Sequence, residues 1–566
     1  MIYMFQNCLF VHYFILLIPV SHLVRRMSTK FRTSSEKQLY ILWTFAIIRS
    51  WETMQISKIT TENGREKIMG YLAGIDLGTS SVKTLIMTPE GKTLAVSHAD
   101  YEVMTPKMGY AEQDPQIWWE CTVKTIREAL AVSKIRPEEL VGIGFSGQMH
   151  GLVALDKEKK PVMPAIIWMD QRSAVETGEI KELAAELLDA ELLNQPGAGM
   201  MICSLLWLKK NAVETYEKIR YVMLPKDYIR YRLTGNIGTE YSDACSTLAF
   251  SVKNRCWCRE LIGRIGLKED IWPEAGESFQ VAGSVCRAAA KETGLAECTK
   301  VVFGAGDAAA QLTGNGVTEP GTIACNIGTA SQIAAVVDAP LYDRQMRLQT
   351  WCHAAQGKWY VQGGTLNGGS TLGWLKKKIL KDARPYAELD AEAALAPAGS
   401  EGLLFVPYLA GERTPFMDPY ARGIYFGMGM KHEQCHIIRA TMEGVIYNLK
   451  ECIAILDEMG IRRNRMISSG GAARGNTWKQ IQADILEMPV YTTSTEEEAC
   501  QGAAILAAVG CGMYGDIEEA CRAVVKLNEH PVEPIAQNVE RYRIQQQIFK
   551  ELYCKVKDLY PRIHRE

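Results

Sequence analysis

One short stretch of this chain places a carboxylate next to a cluster of small and hydroxyl-bearing residues. Asp76 ends the apolar run Leu72–Ile75, and Gly78-Thr79-Ser80-Ser81 follows at once. This pattern predicts a buried strand, a tight turn and a returning strand over Val82–Met87. Backbone N–H groups and hydroxyls in such a turn can donate to a phosphate, and the aspartate can hold Mg²⁺ close by. The candidate phosphate ligands are Thr79, Ser80 and Ser81. An ordinary hairpin is the alternative, and the stretch alone favours neither.

A second copy of the stretch lies 250 residues further along the chain. Cys325-Asn326-Ile327-Gly328-Thr329-Ala330-Ser331 aligns without gaps with the segment from Ile75 to Ser81. The repeat predicts two similar domains, each of which brings a phosphate-binding turn to a shared cleft. Gly328 and Thr329 are the candidate ligands of the second turn. Because only the first copy has an acid, the metal role falls to Asp76.

A further acid, Asp307, follows a strand and a glycine turn. The segment Val301–Asp307 predicts a strand that leads into a helix over Ala308–Leu312. An aspartate at this place is as often a helix N-cap as a catalytic group, so both interpretations stay open.

The turn Gln148-Met149-His150 joins two predicted strands, Leu140–Ser146 and Leu152–Leu155. The preceding glycines formally match the dinucleotide-binding pattern Gly-x-Gly-x-x-Gly, but that pattern requires a helix to follow, and a strand is predicted instead. The histidine could bind a hydroxylated substrate. A role that only stabilises the turn is favoured from these residues alone.

A glycine-rich crossover lies near the end of the chain. The strand Met466–Ser469 runs into Gly470-Gly471-Ala472-Ala473-Arg474, and Asn476 is the predicted cap of a helix over Thr477–Leu486. A strand, a Gly-Gly turn and a helix form a natural seat for an adenine ring or for phosphates. Crossovers of this kind are also common without a ligand.

Composition indicates a soluble globular protein with room for two sizeable cores. The chain has 566 residues, a net charge of −2, 47% hydrophobic residues and 23% charged residues. Basic residues form no dominant run, so nucleic acid is not an expected partner. The 16 cysteines are scattered without paired Cys-x-x-Cys units, which predicts no zinc site and a reducing, cytoplasmic location.

Residues 1–68 differ from the rest of the chain. Cys8–Val24 is uncharged and strongly apolar and precedes two arginines, which is typical of a short membrane span or a signal core. It has no basic stretch before it, and Met69 stands two residues before the first predicted strand. We therefore expect 1–68 to be an extension outside the folded enzyme, with a membrane anchor as the alternative. The expected domains are 69–316 and 317–566.

Several motifs taken together resemble the FGGY family of carbohydrate kinases, and most closely its members that phosphorylate D-xylulose. The resemblance runs from about Met69 to the last predicted helix. The motifs that carry it are Gly74–Lys83, Gly147–Gly151, Ile167–Arg172, Leu224–Tyr228, Gly304–Ala310, Gly328–Ser331, Pro407–Pro415 and Gly470–Arg474. It implies an α/β fold with two actin-like (ribonuclease H-like) domains and a central cleft that holds ATP, Mg²⁺ and a sugar.

The resemblance also implies roles for individual residues. Met149 and His150, with Gln148 beside them, correspond to sugar contacts. Asp307 corresponds to the general base, and Asp76 to the acid associated with Mg²⁺. The nucleotide loop corresponds to Gly470, Gly471, Ala472 and Arg474.

Two residues depart from the pattern of these relatives. Ala308 stands where relatives often carry an amide, and Met169 where they commonly carry asparagine. A change at either position alters contacts to the sugar, so these departures bear on the identity of the sugar and not on the reaction type.

Three functions are therefore compared: a D-xylulose kinase, a kinase for another ketose or polyol such as ribulose or glycerol, and an actin-like ATPase switch without a sugar. Asp307 and the histidine turn argue against the third. The expected partner is a small sugar, without nucleic acid or membrane, and a homodimer is a candidate assembly.

Overall fold

The computed structural model describes residues 60–62, 65–67 and 70–563. The first two segments form a small antiparallel pair of strands, Thr60–Glu62 and Arg65–Lys67, within a unit that spans Met1–Met69. All other elements belong to a second unit, Gly70–Glu566. The apolar segment Cys8–Val24 lies outside the described residues.

The first half of the second unit is built on a seven-stranded sheet. Its strands are β1 (Tyr71–Leu77), β2 (Ser81–Met87), β3 (Thr93–Asp100), β4 (Leu140–Gly147), β5 (Val281–Ser284), β6 (Lys300–Val302) and β7 (Ala305–Gly306). The order is β5-β6-β4-β1-β2-β3, and β7 also pairs with β4. Strands β1, β4, β6 and β7 are mutually parallel, whereas β1, β2 and β3 form an antiparallel meander.

A second sheet repeats this arrangement. Its strands are β8 (Gly321–Ile327), β9 (Ser331–Val337), β10 (Gln349–Cys352), β11 (Trp359–Thr365), β12 (Arg463–Gly470) and β13 (Val490–Thr492). The order is β10-β11-β9-β8-β12-β13, with β8 antiparallel to β9 and parallel to β12. Each sheet thus has an antiparallel meander followed by parallel strands. This confirms the two similar domains predicted from the repeat and the actin-like α/β fold that the resemblance implies.

The two copies of the hairpin differ by one residue in register. Leu77 pairs with Val82 across the first turn, whereas Ile327 pairs with Ser331 across the second. The second turn therefore has one residue fewer between the paired positions, a difference that the gapless sequence alignment does not reveal.

Helices pack on both sheets and connect them. The numbered helices are α1 (Pro115–Ser133), α2 (Pro225–Thr234), α3 (Tyr241–Ala244), α4 (Asp307–Gly314), α5 (Gly369–Trp374), α6 (Gln434–Glu458), α7 (Asn476–Leu486), α8 (Glu498–Gly510) and α9 (Ala536–Val556). Further helices include Ala174–Leu183, Met201–Asn211, Val213–Lys218, Arg259–Arg264, Arg287–Thr293, Tyr386–Ala393 and Ile517–Val524. No helix among the described residues has both the length and the apolar character needed to cross a bilayer.

Helix α8 comes late in the chain but packs directly on the first sheet. A Cβ added to Gly74 in β1 would lie 1.8 Å from the carbonyl oxygen of Cys500, and one added to Gly144 in β4 would lie 1.8 Å from that of Ala503. Helices α4 and α8 cross in the same way, since a Cβ on Gly502 would lie 1.9 Å from the carbonyl oxygen of Ala310. These glycines allow backbones to approach more closely than any side chain would permit.

Candidate active site

Three parallel strands end side by side at one edge of the first sheet. Asp76 in β1 is paired with Ser146 in β4, which in turn is paired with Ala305 in β7. The Ser146 hydroxyl donates to Asp76 Oδ1 at 2.7 Å. Burial raises the pKa of Asp76, while the Ser146 hydrogen bond and the charge of Lys83 act in the opposite direction. The carboxylate predicted from the sequence therefore lies at the edge where other parallel strands also end.

Asp307 follows β7 directly and is the first residue of α4. Gly306 occupies the N-cap position, and Asp307 Oδ1 accepts a hydrogen bond from the N–H of Ala308 at 2.7 Å. Burial and then the negative charge of Asp76 raise the pKa of Asp307 to about 7. Within the described residues no donor reaches Oδ2, so one oxygen of this carboxylate serves the helix start and the other is available for proton transfer.

The turn after β4 is fixed from both sides. The N–H of Gln148 donates to the carbonyl oxygen of Leu77 at 2.8 Å, and its side-chain amide donates to Gln113 Oε1 at 2.9 Å. Met149 is buried against Gly306, where an added Cβ would lie 2.9 Å from Met149 Cγ. The predicted sugar turn and the residue before Asp307 are thus in direct contact.

His150 is held by Ser246 in a conformation that sets its tautomer. It has a φ of 74°, in the left-handed region, and its N–H donates to the Ser246 hydroxyl at 3.0 Å. Its Nδ1 lies 2.8 Å from the Ser246 carbonyl oxygen, which can only accept, so Nδ1 carries the proton and Nε2 is an acceptor. Burial and the nearby charge of Arg413 lower the pKa of His150, opposed by the Ser246 carbonyl. The ring also packs against Trp351 of the second half, at 5.7 Å between centroids.

A fully buried cluster of charges supports this turn and α4. Lys226 Nζ lies 2.9 Å from Asp227 Oδ1, 3.3 Å from Glu240 Oε1 and 3.4 Å from Asp243 Oδ2. Next to this cluster, Ser242 in α3 accepts the N–H of Gly306 at 3.1 Å.

Lys226 and Asp227 lie in the motif Leu224–Tyr228, but the sequence analysis predicted no role for them or for Glu240, Ser242 and Asp243. The available signal was the adjacent opposite charges of Lys226 and Asp227 at the start of α2, because charges that become buried are costly unless they are paired.

The first predicted phosphate turn keeps donors available. Trp168 donates through its indole N–H to Thr79 Oγ1 at 2.9 Å, so the hydroxyl proton of Thr79 remains free to bond another acceptor. Ser80 is exposed, and Ser81 is the first residue of β2. Trp168 was not predicted as a site residue.

The second half contains a cavity of about 760 Å³. Residues of two predicted motifs line it: Gly328, Thr329, Gly471, Ala472 and Arg474. Gly470 immediately precedes them. The other polar and aromatic lining residues, which the sequence did not suggest, include Ser370, Trp374, Lys377, Lys378, Tyr386, Asp390 and Trp478. The cavity does not include Asp76, Asp307 or the histidine turn.

The backbone of the glycine-rich crossover requires glycine at one point. Gly470 has a φ of 77°, and a Cβ there would lie 2.7 Å from the carbonyl oxygen of Ile327. This close approach brings the crossover beside the second predicted phosphate turn.

The predicted helix cap Asn476 is wrong. Asn476 is the first residue of α7, Gly475 is the cap, and the carboxylate of Asp390 accepts the N–H groups of Thr477 and Trp478 at 3.0 and 3.1 Å. A carboxylate from a distant helix replaces the local cap, and no local sequence pattern could identify it.

Comparison with known proteins assigns both halves of the chain to one protein family. The N-terminal domain model of the FGGY family of carbohydrate kinases matches residues 71–314, and the C-terminal domain model of this family matches residues 323–511. The chain is 35% identical over 491 residues to a xylulose kinase of Bacillus subtilis (strain 168), covering 87% of this chain and 98% of the relative. It is 30% identical over 509 residues to a gluconokinase of the same organism, covering 87% and 97%.

Solved structures agree with these relatives. A xylulose kinase from Lactobacillus acidophilus has a TM-score of 0.81 at 25% identity and covers 87% of this chain and all of its own. Both halves of the sequence and the whole fold therefore agree, and the chain belongs to the FGGY family of carbohydrate kinases.

Proposed function

We propose that this chain transfers the γ-phosphate of ATP to D-xylulose and forms D-xylulose 5-phosphate, which is the activity of a xylulokinase. The observation that carries the proposal is Asp307, a carboxylate with a pKa of about 7 and one oxygen that no hydrogen-bond donor of the described residues reaches. It lies beside Asp76, and Gly306 before it contacts Met149 of the histidine turn. The xylulose kinase relatives at 35% identity support the choice of sugar.

In this proposal Asp307 is the general base. A sugar hydroxyl placed against Oδ2 would give up its proton as its oxygen attacks the γ-phosphorus, and a base with a pKa near 7 is suited to accept it at neutral pH. Gln148, Met149 and His150 would orient the sugar, since the imidazole can accept from a hydroxyl and the methionine can pack against the carbon face.

The residues present fit ATP and Mg²⁺. Asp76 has one oxygen bonded to Ser146 and a second that can hold a cation. The described residues contain no group of three or more His, Cys, Asp or Glu side chains able to hold a metal alone, so Mg²⁺ would be shared between Asp76 and phosphate oxygens. Bound Mg²⁺ would neutralise charge on the phosphates.

The nucleotide itself would occupy the cavity of the second half. Gly470, Gly471, Ala472 and Arg474 would line its seat, and Gly328 and Thr329 would bind its phosphates from one side of the cleft. Thr79, Ser80 and Ser81 would bind them from the other side.

A second candidate is a kinase for another polyhydroxylated acceptor. The gluconokinase relative favours it. So does Met169, which is exposed beside Trp168 and is one of the two departures described in the sequence analysis. Both candidates use the same phosphoryl transfer and differ only in the acceptor.

A screen of ADP release separates the candidates. The purified chain would be supplied with MgATP and, separately, D-xylulose, D-ribulose, L-ribulose, D-gluconate or glycerol, with a reaction lacking any acceptor as control. The largest kcat/KM is expected for D-xylulose. A larger kcat/KM for another acceptor would overturn the sugar assignment, and equal ADP release without acceptor would overturn the kinase assignment.

We also propose the domain division 69–316 and 317–566, with 1–68 as an extension. The family models begin at residue 71 and change from one domain to the other between residues 314 and 323, which supports this division.

A further inference from the structure

The first predicted phosphate turn, residues 78–81, is fastened to the first half through its carbonyl groups. The carbonyl oxygen of Gly78 accepts the hydroxyl of Tyr101 at 2.6 Å. The carbonyl oxygen of Thr79 accepts the side-chain amide of Gln113 at 2.7 Å. The next carbonyl oxygen, that of Ser80, accepts the backbone N–H of Tyr101 at 2.9 Å. Three consecutive carbonyl groups of the turn are therefore bonded to two buried residues, Tyr101 and Gln113.

These contacts also fix the direction of two N–H groups of the turn. A trans peptide unit is planar, so its C=O and N–H bonds point in opposite directions. The N–H of Thr79 shares a peptide unit with the carbonyl of Gly78, and the N–H of Ser80 shares one with the carbonyl of Thr79. Both N–H groups therefore point away from Tyr101 and Gln113, and neither has an acceptor among the described residues. The turn thus presents two unpaired backbone donors.

The orientation of the Gln113 amide follows from its neighbours. The indole nitrogen of Trp118 in α1 lies 3.2 Å from Gln113 Oε1, and an indole N–H can only donate. The oxygen of the amide must therefore face Trp118, which leaves its nitrogen to donate to Thr79. The same oxygen accepts the side-chain amide of Gln148 at 2.9 Å. One buried amide thus joins the first predicted phosphate turn to the histidine turn.

We infer that Gln113 and Tyr101 are positioning residues for phosphoryl transfer, because they hold the turn so that two backbone N–H groups donate to phosphate oxygens of ATP. The two groups are the N–H groups of Thr79 and Ser80. The inference rests on the proposed function, since it requires this turn to bind phosphates. Donors that are fixed before the substrate arrives need no rearrangement as charge moves onto the phosphate oxygens, and such preorganisation is a large source of catalytic rate.

Two nearly isosteric substitutions test the positioning role. Tyr101→Phe removes the hydroxyl that donates to Gly78, and Gln113→Glu replaces the amide donor to Thr79 with an oxygen. Each substitution is expected to lower kcat/KM for ATP about 10- to 100-fold, because a phosphate donor is misaligned but not removed. The KM for D-xylulose should change less than about twofold, since Gln113→Glu keeps an acceptor oxygen for Gln148. Steady-state kinetics with both substrates measure this difference.

The carboxyl group that Gln113→Glu introduces gives a second readout, the pH dependence of nucleotide binding. A protonated carboxyl group can donate to the Thr79 carbonyl in place of the lost amide, and burial raises the pKa of a carboxyl group. The affinity of this variant for MgATP, relative to the wild-type enzyme at the same pH, should therefore recover as the pH falls from about 8 to about 6. Equilibrium titration with MgATP in the absence of sugar measures the affinity. A defect of packing alone would not change with pH.

The chain offers a matched control for each substitution. The hydroxyl of Tyr514 donates to the carbonyl oxygen of Pro89 at 2.8 Å. The amide of Gln545 in α9, which is also buried, donates to the carbonyl oxygen of Gly399 at 2.7 Å and accepts the hydroxyl of Tyr447. Tyr514→Phe and Gln545→Glu remove the same kinds of hydrogen bond away from the turn. Both should leave kcat/KM for ATP unchanged, whatever their effect on thermal unfolding.

Three results would overturn the inference. The first is a kcat/KM for ATP that stays within about twofold of the wild-type value in both Tyr101→Phe and Gln113→Glu. The second is an equal loss in the two control variants, and the third is an affinity of Gln113→Glu for MgATP that is equally low at every pH. Failure of the proposed function is distinct, since the wild-type enzyme would then bind MgATP without phosphorylating D-xylulose. If Gln113→Glu does not fold, Tyr101→Phe and its control decide.

Discussion

Asp76 and Asp307 are chemically alike, but the structure gives them different environments. Burial raises the pKa of Asp76, while the hydrogen bond from the Ser146 hydroxyl and the charge of Lys83 act in the opposite direction and favour its charged form. Asp307 has one backbone hydrogen bond and the negative charge of Asp76 beside it, which opposes its ionisation. Two carboxylates in different environments are suited to separate tasks, one to hold a cation and the other to move a proton.

Replacing Asp307 with asparagine tests whether Asp307 accepts the proton of the sugar hydroxyl. We expect Asp307→Asn to retain the KM values for ATP and sugar while kcat falls by about 100-fold or more, because the amide cannot accept the proton. Steady-state kinetics with both substrates measure this. If turnover stays near that of the wild-type enzyme, Asp307 serves only the start of α4.

The raised pKa of Asp307 predicts the acid side of the pH profile. The base must be unprotonated, so kcat/KM for the sugar should fall below the pKa of about 7 and level off above it. Positive charge from bound Mg²⁺ would lower the pKa of Asp307, so the fall in kcat/KM would move to lower pH. Initial rates across the pH range would show the limb, and a profile that stays flat down to about pH 5 would contradict the assignment.

At the scale of elements, local patterns predicted much of the architecture. The hairpins after Asp76 and Asn326, the strand before Asp307 and the glycine-rich crossover all lie where hydrophobic runs and turn residues indicate them. Long-range contacts were not predictable: Ser246 reaches His150 across 96 residues, and Asp390 caps a helix 87 residues away. Sequence periodicity reports burial and local geometry, and it does not specify which distant side chains meet.

The crossing of α4 and α8 gives a prediction at this scale. A Cβ on Gly502 would lie 1.9 Å from the backbone of α4, so Gly502→Ala should push the helices apart and lower the free energy of unfolding by about 1–3 kcal/mol. Because α4 begins with Asp307, kcat should also fall. Thermal unfolding and kinetics measure both effects.

Gly178→Ala is the matched control for this change. Gly178 lies within the helix Ala174–Leu183 and has no atom within 4 Å of the added Cβ, so the same substitution should leave activity unchanged and slightly stabilise the protein. Equal effects of the two substitutions would show that the helix crossing is not tightly packed.

At the scale of the whole molecule, the part of the chain that matches the FGGY family begins two residues after Met69. The N-terminal family model starts at residue 71, in agreement with the first strand of the first sheet. The two repeated sheets account for the proposed catalytic groups and for the nucleotide cavity without residues 1–68.

A chain that begins at Met69 is therefore expected to be fully active. Its kcat, KM values and thermal unfolding should equal those of the full-length chain, because the elements that hold the site all lie beyond that residue. An inactive or insoluble shortened chain, with an active full-length form in membranes, would show that the first 68 residues are required.

The packing of α8 on the first sheet also bears on how the protein is made. Strand β7 completes the first sheet at Gly306, but the helix that covers β1 and β4 begins about 190 residues later, at Glu498. At a synthesis rate of about 5–20 residues per second, one apolar face of this sheet stays uncovered for roughly 10–40 s while the ribosome makes the rest of the chain up to α8. A newly made first half is thus a natural client for chaperones, and it should aggregate when its synthesis stops before α8 emerges.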